Sequence, residues 1–342
     1  GKALLPADAL FSFLPWKTYA TQLGVGIPHN ELIADMVLQN YGWKELIKST
    51  LLQGQLPLWN PYVFTGMPLL AAGQGAALYP PAALLFTLLP IAQAYVWFTA
   101  LHLLLGGLFT YFYLRVIGAG RWGALLAAVG FSLSGFLVVS FQWPQMVGAA
   151  VWLPFLLACL EQVFRRAERH LPATRQEAWG QWLGMPFWTI AGALGVGLQF
   201  LAGHLEISLY ILFMLLAYAV VRLGLMAREQ GLSWDVAKAA GATSLMLGLG
   251  AALAGAQLAP FFELVQQNFR AGSATFQQVT GLGLPVRQLI AFLIPDFFGN
   301  PTHHSYFDVV RGQVLAITGA TDLAGQPRSY PFWGVKDYVE GT

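Results

Sequence analysis

The chain has 342 residues, of which 56% are hydrophobic and only 10% are charged. Soluble domains carry about 25% charged residues, so this composition excludes soluble enzymes, disordered regulators and basic proteins that bind nucleic acid. A globule of this length could not bury so much apolar surface behind so few charges. We therefore predict an all-α polytopic membrane protein. The single cysteine, Cys159, excludes an internal disulfide.

Residues 1–80 are half apolar but also carry polar groups, Trp and Pro, as expected of a loop that lies in the headgroup region. Within this loop the pattern predicts an interfacial helix over about residues 30–51, with Asn30 as its N-cap. Lys44 and Lys48 of this helix are predicted to offer basic groups to lipid phosphates.

Acidic residues of the same loop are candidates for catalysis. Glu31 and Asp35 lie four positions apart, so they face the same way on the predicted helix. Such a pair is either a solvated acidic face or a site that meets a cation, a metal or a substrate hydroxyl. A carboxylate at the membrane surface suits general-base catalysis, because it accepts a proton from an acceptor hydroxyl. Asp8, near the start of the chain, is a further candidate acid.

The stretch from Gly54 to Pro80 is rich in Pro, Gly, aromatic and amide residues, which forbids a regular helix. Aromatic rings offer apolar faces to a sugar, and amides hydrogen-bond to its hydroxyls. A rigid loop that caps the helical bundle is the alternative interpretation. The candidate substrate contacts are Trp59, Asn60, Tyr62, Gln74 and Tyr79.

Charge-free apolar runs of about 20 residues predict six transmembrane helices. The predicted ranges are about 91–114, two helices within 122–160 that are separated by a polar turn at 142–145, and then 186–202, 207–221 and 241–262. Residues 80–90 form a run too short to cross, which is predicted to be interfacial or a half-helix.

Basic residues are concentrated in alternate connections between the predicted helices, around Arg115, Arg165 and Arg222. By the positive-inside rule these connections are cytoplasmic. An even number of spans then places residues 1–80 and 264–342 on the outer side. The predicted domains are a first extracytoplasmic loop (1–80), a transmembrane bundle (81–262), and an extracytoplasmic segment (263–342) that starts a longer C-terminal region.

Several segments resemble the bacterial YfhO-like membrane proteins. They read LLPADALFSFLPW, PHNELIAD, GQLPLWNPYVFTGMPLLAAGQGAALYPP, AGHLEISLY and LIPDFFGNP. Those proteins are similar to the glycosyltransferases of the C superfamily, which includes oligosaccharyltransferases and protein mannosyltransferases. The resemblance runs over essentially the whole chain, and the block from WNPY to YP is its specific part. Family members are longer at both ends, so the resemblance implies one more span before the first segment.

The resemblance implies a GT-C-like helical bundle that transfers a sugar from a polyprenyl-phosphate carrier to a lipid-linked or envelope acceptor. The reaction would take place at the outer face of the bacterial inner membrane. In this superfamily an acidic residue of the first outer loop acts as the base, which maps onto Asp35, with Asp8 as the second acid. A divalent metal, Mg or Mn, is the candidate cofactor.

Three further residues are candidate substrate contacts on the outer side. His204 and Glu206 lie in the Gly-His stretch of the family and are candidates to bind the donor phosphate or a metal, with an interfacial hydrogen-bonded pair as the alternative. Arg287 suits phosphate binding, because guanidinium binds phosphate through two hydrogen bonds. Two other functions stay open: a non-catalytic subunit of a larger membrane complex, and a transporter, although the spans have few of the ionisable mid-span residues that a transporter needs.

Overall fold

The computed structural model describes residues 4–25, 34–168, 184–267, 275–276, 286, 289–290, 293–294, 305–308 and 313–316. The chain divides into two compact units. The first unit consists of residues 1–5 and 40–266, and the second of residues 6–39 and 267–342. In this division the chain after residue 40 packs with the helices. The predicted domains are defined by membrane topology and stay a prediction.

The first unit is built from α-helices. In chain order they are α1 (Tyr41–Leu52), α2 (Leu69–Ala72), α3 (Pro80–Leu88), α4 (Ile91–Val116), α5 (Arg121–Ser132), α6 (Gly135–Val139), α7 (Pro144–Ala150), α8 (Trp152–Ala167), α9 (Met185–Leu201), α10 (Leu205–Gln230), α11 (Trp234–Leu253) and α12 (Gly255–Gln267). A short antiparallel hairpin of β1 (Trp59–Asn60) and β2 (Met67–Pro68) follows α1.

Five helical segments in the described part of the chain are long and apolar enough to cross a membrane. They are α4, the segment Arg121–Gln142 that contains α5 and α6, the segment Pro144–Ala167 that contains α7 and α8, α10 and α11. The remaining predicted span is α9, an apolar helix of 17 residues. The chain is therefore an all-α, multi-pass membrane protein, as predicted.

The last predicted span begins earlier than expected. It was placed at about residues 241–262, whereas α11 covers Trp234–Leu253. Ser233 caps its first turn by accepting a hydrogen bond from the backbone N–H of Val236, and Asp235 pairs with Lys238 at 2.5 Å. Because these charges satisfy one another one turn apart, the helix starts inside the charged segment rather than after it.

Small residues allow the central helix α9 to approach its neighbours closely. A Cβ atom at Gly195 would lie 2.9 Å from the side chain of Leu156 on α8. On α11, a Cβ atom at Gly250 would lie 2.5 Å from the side chain of Val196. Glycines at such contacts let membrane helices pack by close van der Waals contact, which replaces the hydrophobic driving force that is absent in lipid.

A cluster of charged side chains joins the end of α8 to α10, and we call it the ionic end of the bundle. Arg222 Nε lies 2.9 Å from Glu161 Oε2, and a second nitrogen of Arg222 lies 3.1 Å from Glu168. Tyr218 donates to Glu161 at 2.7 Å, and Arg165 Nε lies 2.8 Å from the other oxygen of that carboxylate. The cluster lies at the end of the bundle where the sequence predicts the cytoplasmic connections around Arg165 and Arg222.

A helix is observed over the second half of the predicted interfacial helix. A π-helical turn, Met36–Asn40, precedes α1. The predicted N-cap, Asn30, and its neighbour Glu31 lie outside the described residues. Ile47 of α1 packs in a buried cluster with Leu69, Leu70 and Ala77. This contact explains why residues 40–80 group with the bundle. The helix α3 confirms the short helix predicted over residues 80–90.

In the second unit the structure describes short elements only. Two 3₁₀ helices, Ala7–Ser12 and Trp16–Tyr19, lie near the start of the chain. Strands β3 (Ser305–Asp308) and β4 (Gln313–Ala316) pair as an antiparallel hairpin.

Candidate functional site

A tight loop, Gly73–Ala76, lies at the end of the bundle opposite the ionic end. Hydrogen bonds from two other helices hold this loop and the helix α2 that precedes it. The backbone turns sharply at Gly73 (φ +78) and Ala76 (φ +50), and the N–H of Ala76 donates to the carbonyl of Gly73 at 3.0 Å. From α1, Lys44 Nζ donates to the carbonyl of Gly75 at 2.6 Å. From α12, Gln257 Nε2 donates to the carbonyl of Leu70 at 2.5 Å.

The loop presents Gln74, one of the predicted substrate contacts, to the surface. Gln74 is exposed, whereas its neighbours Gly73, Gly75 and Ala76 are buried. A hydrogen-bonding amide therefore stands on a backbone that is fixed on either side. This is a suitable arrangement for contacting a hydroxyl-rich ligand, because little freedom is lost when the ligand binds.

Lys44 is buried without a described carboxylate partner. Its side chain is 3% exposed, and Nζ lies 4.5 Å above the centre of the Phe86 ring. Burial lowers the pKa of Lys44 from 10.5 to about 7, because a charged amine loses its hydration there. The prediction that Lys44 reaches lipid phosphates is wrong, since the amine points into the protein.

Lys48 is also bound to backbone. Its Nζ donates to the carbonyl of Leu89 at 2.7 Å, just after the last residue of α3. A cation at the carboxyl end of a helix is stabilised by the helix dipole. This contact within the protein was not predicted, and the lipid contact of Lys48 stays a prediction. Both lysines border a cavity of about 10 Å³ between α1 and α3, which is close to the volume that one water molecule needs.

The turn between α9 and α10 packs against the tight loop. Gly203 has a φ of +92, and a Cβ atom there would lie 2.7 Å from the carbonyl oxygen of Gly73. Only glycine fits this position. We call the meeting of the loop Gly73–Ala76 with this turn the loop end of the bundle.

His204 follows directly and caps α10. Its Nδ1 accepts a hydrogen bond from the N–H of Ile207 at 3.3 Å, so the neutral ring carries its proton on Nε2. Burial lowers the pKa of His204, which favours this neutral form. Glu206 is exposed and accepts from the hydroxyl of Tyr210 at 2.6 Å. The two predicted contacts thus lie on one turn with different hydrogen-bond partners.

Tyr79 is fully buried in a hydrogen-bonded network. Its hydroxyl lies 2.8 Å from His102 Nε2 and accepts from Trp152 Nε1 at 3.1 Å. His102 Nδ1 lies 2.7 Å from the carbonyl of Phe98, so Nδ1 is the donor and the Tyr79 hydroxyl donates to Nε2. Burial raises the pKa of Tyr79. The network fixes the start of α3 to α4 and α8, and it leaves no surface of Tyr79 open to a ligand.

The predicted contacts in the hairpin divide into two kinds. Trp59 and Tyr62 are 54% and 82% exposed, so both rings are open to a ligand. Asn60 is 4% exposed, and its Oδ1 accepts from the backbone N–H of Tyr62 at 3.0 Å. This amide supports the turn instead of facing outward.

The candidate acids lie in the second unit. Asp35 is exposed, and Gln39 Nε2 lies 3.4 Å from its Oδ1. Asp8 lies in the first turn of a 3₁₀ helix and is half-buried. Glu31 and Arg287 fall outside the described residues. No three His, Cys, Asp or Glu side chains come together as metal ligands in the parts of the chain that the structure describes.

The hydrogen bonds from Lys44 and Gln257 to the backbone were not predicted from the sequence. Lys44 lies three residues from both Tyr41 and Ile47, a spacing that places it on the packing side of α1 and could have indicated its burial. Gln257 has no such signal. Its partner Leu70 lies 187 residues away in the chain.

The fold and its polar loop end define a class of protein, a multi-pass helical membrane protein with an ordered non-helical segment before its first described span. The family model described as bacterial membrane protein YfhO matches residues 78–171. The match begins beside Tyr79 and runs through α3 to α8, so it confirms the YfhO-like resemblance over that part of the chain. No curated protein and no solved structure matches the chain.

Proposed function

We propose that this protein is a membrane glycosyltransferase that moves a sugar from a polyprenyl-phosphate carrier to a lipid or cell-envelope acceptor. The observation that carries the proposal is the YfhO match over residues 78–171 in a polytopic helical bundle. The motifs of residues 54–81 and the Gly-His turn add the likeness to the C superfamily. The proposal places the loop end at the outer face of the bacterial inner membrane, because the arginines gather at the ionic end.

In the proposed reaction the Asp35 carboxylate is the general base. It accepts the proton of the acceptor hydroxyl while the hydroxyl oxygen attacks the anomeric carbon of the sugar. The bond between that carbon and the phosphate oxygen breaks, and the polyprenyl phosphate leaves with the electron pair. The role rests on the resemblance, in which an acidic residue of the first outer loop is the base. Asp8 is the proposed second acid.

The proposed contacts to the donor phosphate are groups that carry no negative charge. His204 Nε2–H and Arg287 are assigned to the donor phosphate, and Gln74 is assigned to sugar hydroxyls. Glu206 is assigned as an acceptor for hydroxyl groups. Membrane lipids surround the bundle, and further subunits of a membrane complex are compatible partners.

The test is turnover of a polyprenyl-phosphate sugar by the purified full-length protein. The variant Asp35→Asn should lose about 10²–10⁴-fold in rate, because the amide cannot accept the proton. The matched control is Glu45→Gln, which changes an exposed acid of α1 in the same manner and should keep full activity. Undiminished turnover by Asp35→Asn would exclude the proposed base. Absence of turnover by every form with every donor would favour the non-catalytic subunit.

A further inference from the structure

We infer that the hairpin of residues 56–68 is a membrane anchor whose tip inserts into the interface of the bilayer. This inference goes beyond the proposed transferase activity and does not depend on it. The occupant of the hairpin surface is the lipid headgroup and upper acyl-chain region of the membrane in which the protein lies.

The hairpin, whose tip is the turn at residues 61–66, exposes large apolar side chains and no charged side chain. Five such residues are between 54% and 86% exposed. They are Leu56, Leu58, Trp59, Tyr62 and Phe64. The whole stretch between Lys48 and Arg115 contains no charged residue. Contiguous exposed apolar surface marks contact with a membrane, a ligand or a protein, and a soluble surface would have interspersed charges.

The tip is built to hold these side chains outward. Phe64 and Thr65 adopt left-handed conformations, with φ of +50 and +62, which non-glycine residues adopt at a conformational cost. The Trp59 ring occupies the space beside Gly66, where a Cβ atom would lie 2.6 Å from the indole. Together with the bond from Tyr62 N–H to Asn60, these contacts fix the tip before any partner binds.

The chemistry of the tip favours lipid over the other occupants. A sugar needs hydrogen-bonding groups around the stacking ring, but the amide of Asn60 is already used inside the turn. The rim of a protein–protein interface is usually polar, and this stretch offers no charged residue to such a rim. Trp and Tyr are enriched where a membrane meets water, because one part of each ring is apolar and another is polar. The chain also runs from the hairpin through α2 and α3 directly into the membrane-spanning α4.

The protein offers a clean test through its cysteine content. Cys159 is the only cysteine, and it is fully buried, so an introduced cysteine can be labelled selectively with an environment-sensitive fluorophore. The test variant is Phe64→Cys in the full chain, reconstituted in phosphatidylcholine nanodiscs. Glu229→Cys, at an exposed charged position near the end of α10, is the aqueous control, and Leu126→Cys, 76% exposed on α5, is the lipid control.

We expect the fluorophore at position 64 to be quenched by lipids with a spin label near the headgroup and to be protected from aqueous iodide. Position 229 should show the reverse, and position 126 should be quenched by lipids labelled deeper in the acyl chain. Adding Gly66→Ala to Phe64→Cys should displace Trp59 and reduce lipid quenching at position 64, while the thermal unfolding temperature shows that the bundle remains folded.

Two results would overturn the inference. One is quenching of position 64 by iodide as strong as at position 229, with no effect of the spin-labelled lipids. The other is protection of position 64 from both quenchers, which would assign the tip to a protein contact, either a second copy or another subunit.

Discussion

The two ends of the bundle differ in the partners of their buried charged side chains. At the ionic end Glu161 and Glu168 share Arg222, and every described charge of that cluster has a partner. At the loop end, among the described residues, Lys44 contacts a carbonyl and an aromatic ring but no carboxylate. The charged side chains of the ionic end therefore find their partners within the protein. The loop end instead carries Gln74 and the ring of His204 on a backbone that is held by hydrogen bonds to carbonyl groups. The proposed binding site therefore lies at the loop end.

The largest expected effect on stability is at the ionic end. Replacing Glu161 by Ala leaves Arg222 and the Tyr218 hydroxyl without their main acceptor. Removing one partner of a buried ion pair costs about 3–5 kcal/mol, and partial exposure of Arg222 should bring the cost to the lower part of that range. Denaturant unfolding in detergent measures it. The control Glu229→Ala should change the free energy of unfolding by less than about 0.5 kcal/mol, and equal effects of the two changes would contradict the comparison.

A smaller effect is expected from Gly203→Ala at the loop end. The new Cβ atom would meet the carbonyl of Gly73 at 2.7 Å in a conformation with φ +92, which should cost about 1–3 kcal/mol. The matched control is Gly248→Ala on α11, where a Cβ atom meets nothing within 4 Å. That control should be neutral or stabilising, because alanine favours helix. If Gly203→Ala left the free energy of unfolding unchanged, the turn would not be packed tightly against the loop.

Lys44 should give the loop end a pH dependence. Its folded pKa of about 7 lies below the unfolded value of 10.5, so between these values the unfolded chain binds a proton that the folded chain does not. The free energy of unfolding should therefore rise with pH in this window, by up to about 1.4 kcal/mol per pH unit from this group. Below pH 7 both states are protonated and the contribution of Lys44 is flat.

The variant Lys44→Met isolates this slope. It should remove the rise between about pH 7 and 10.5, whatever it does to the absolute stability through the lost bond to Gly75. Lys48→Met is the control and should retain the slope. Identical pH profiles for wild type and Lys44→Met would show that the amine is not held in the buried state.

The sequence predicts the membrane-spanning part well because charge-free length alone decides it. It misplaces α11 because the pairing of Asp235 with Lys238 lets charged residues enter the first turns of a helix. The candidate site is less predictable. The burial of Tyr79 arises from partners distant in the chain, His102 and Trp152. Residue type alone does not distinguish an exposed amide such as Gln74 from one that supports a turn, such as Asn60.

Because Lys44 is buried, the two ends of the bundle should respond differently to salt. Raising the ionic strength from about 0.1 M to 1 M shortens the Debye length from about 10 Å to 3 Å, which weakens ion pairs that solvent can reach, such as Asp235 with Lys238, each 24% exposed. Counterions cannot approach an amine enclosed by α1, α3 and the tight loop. Salt therefore acts on the charges around the ionic end, whereas protons act on the loop end.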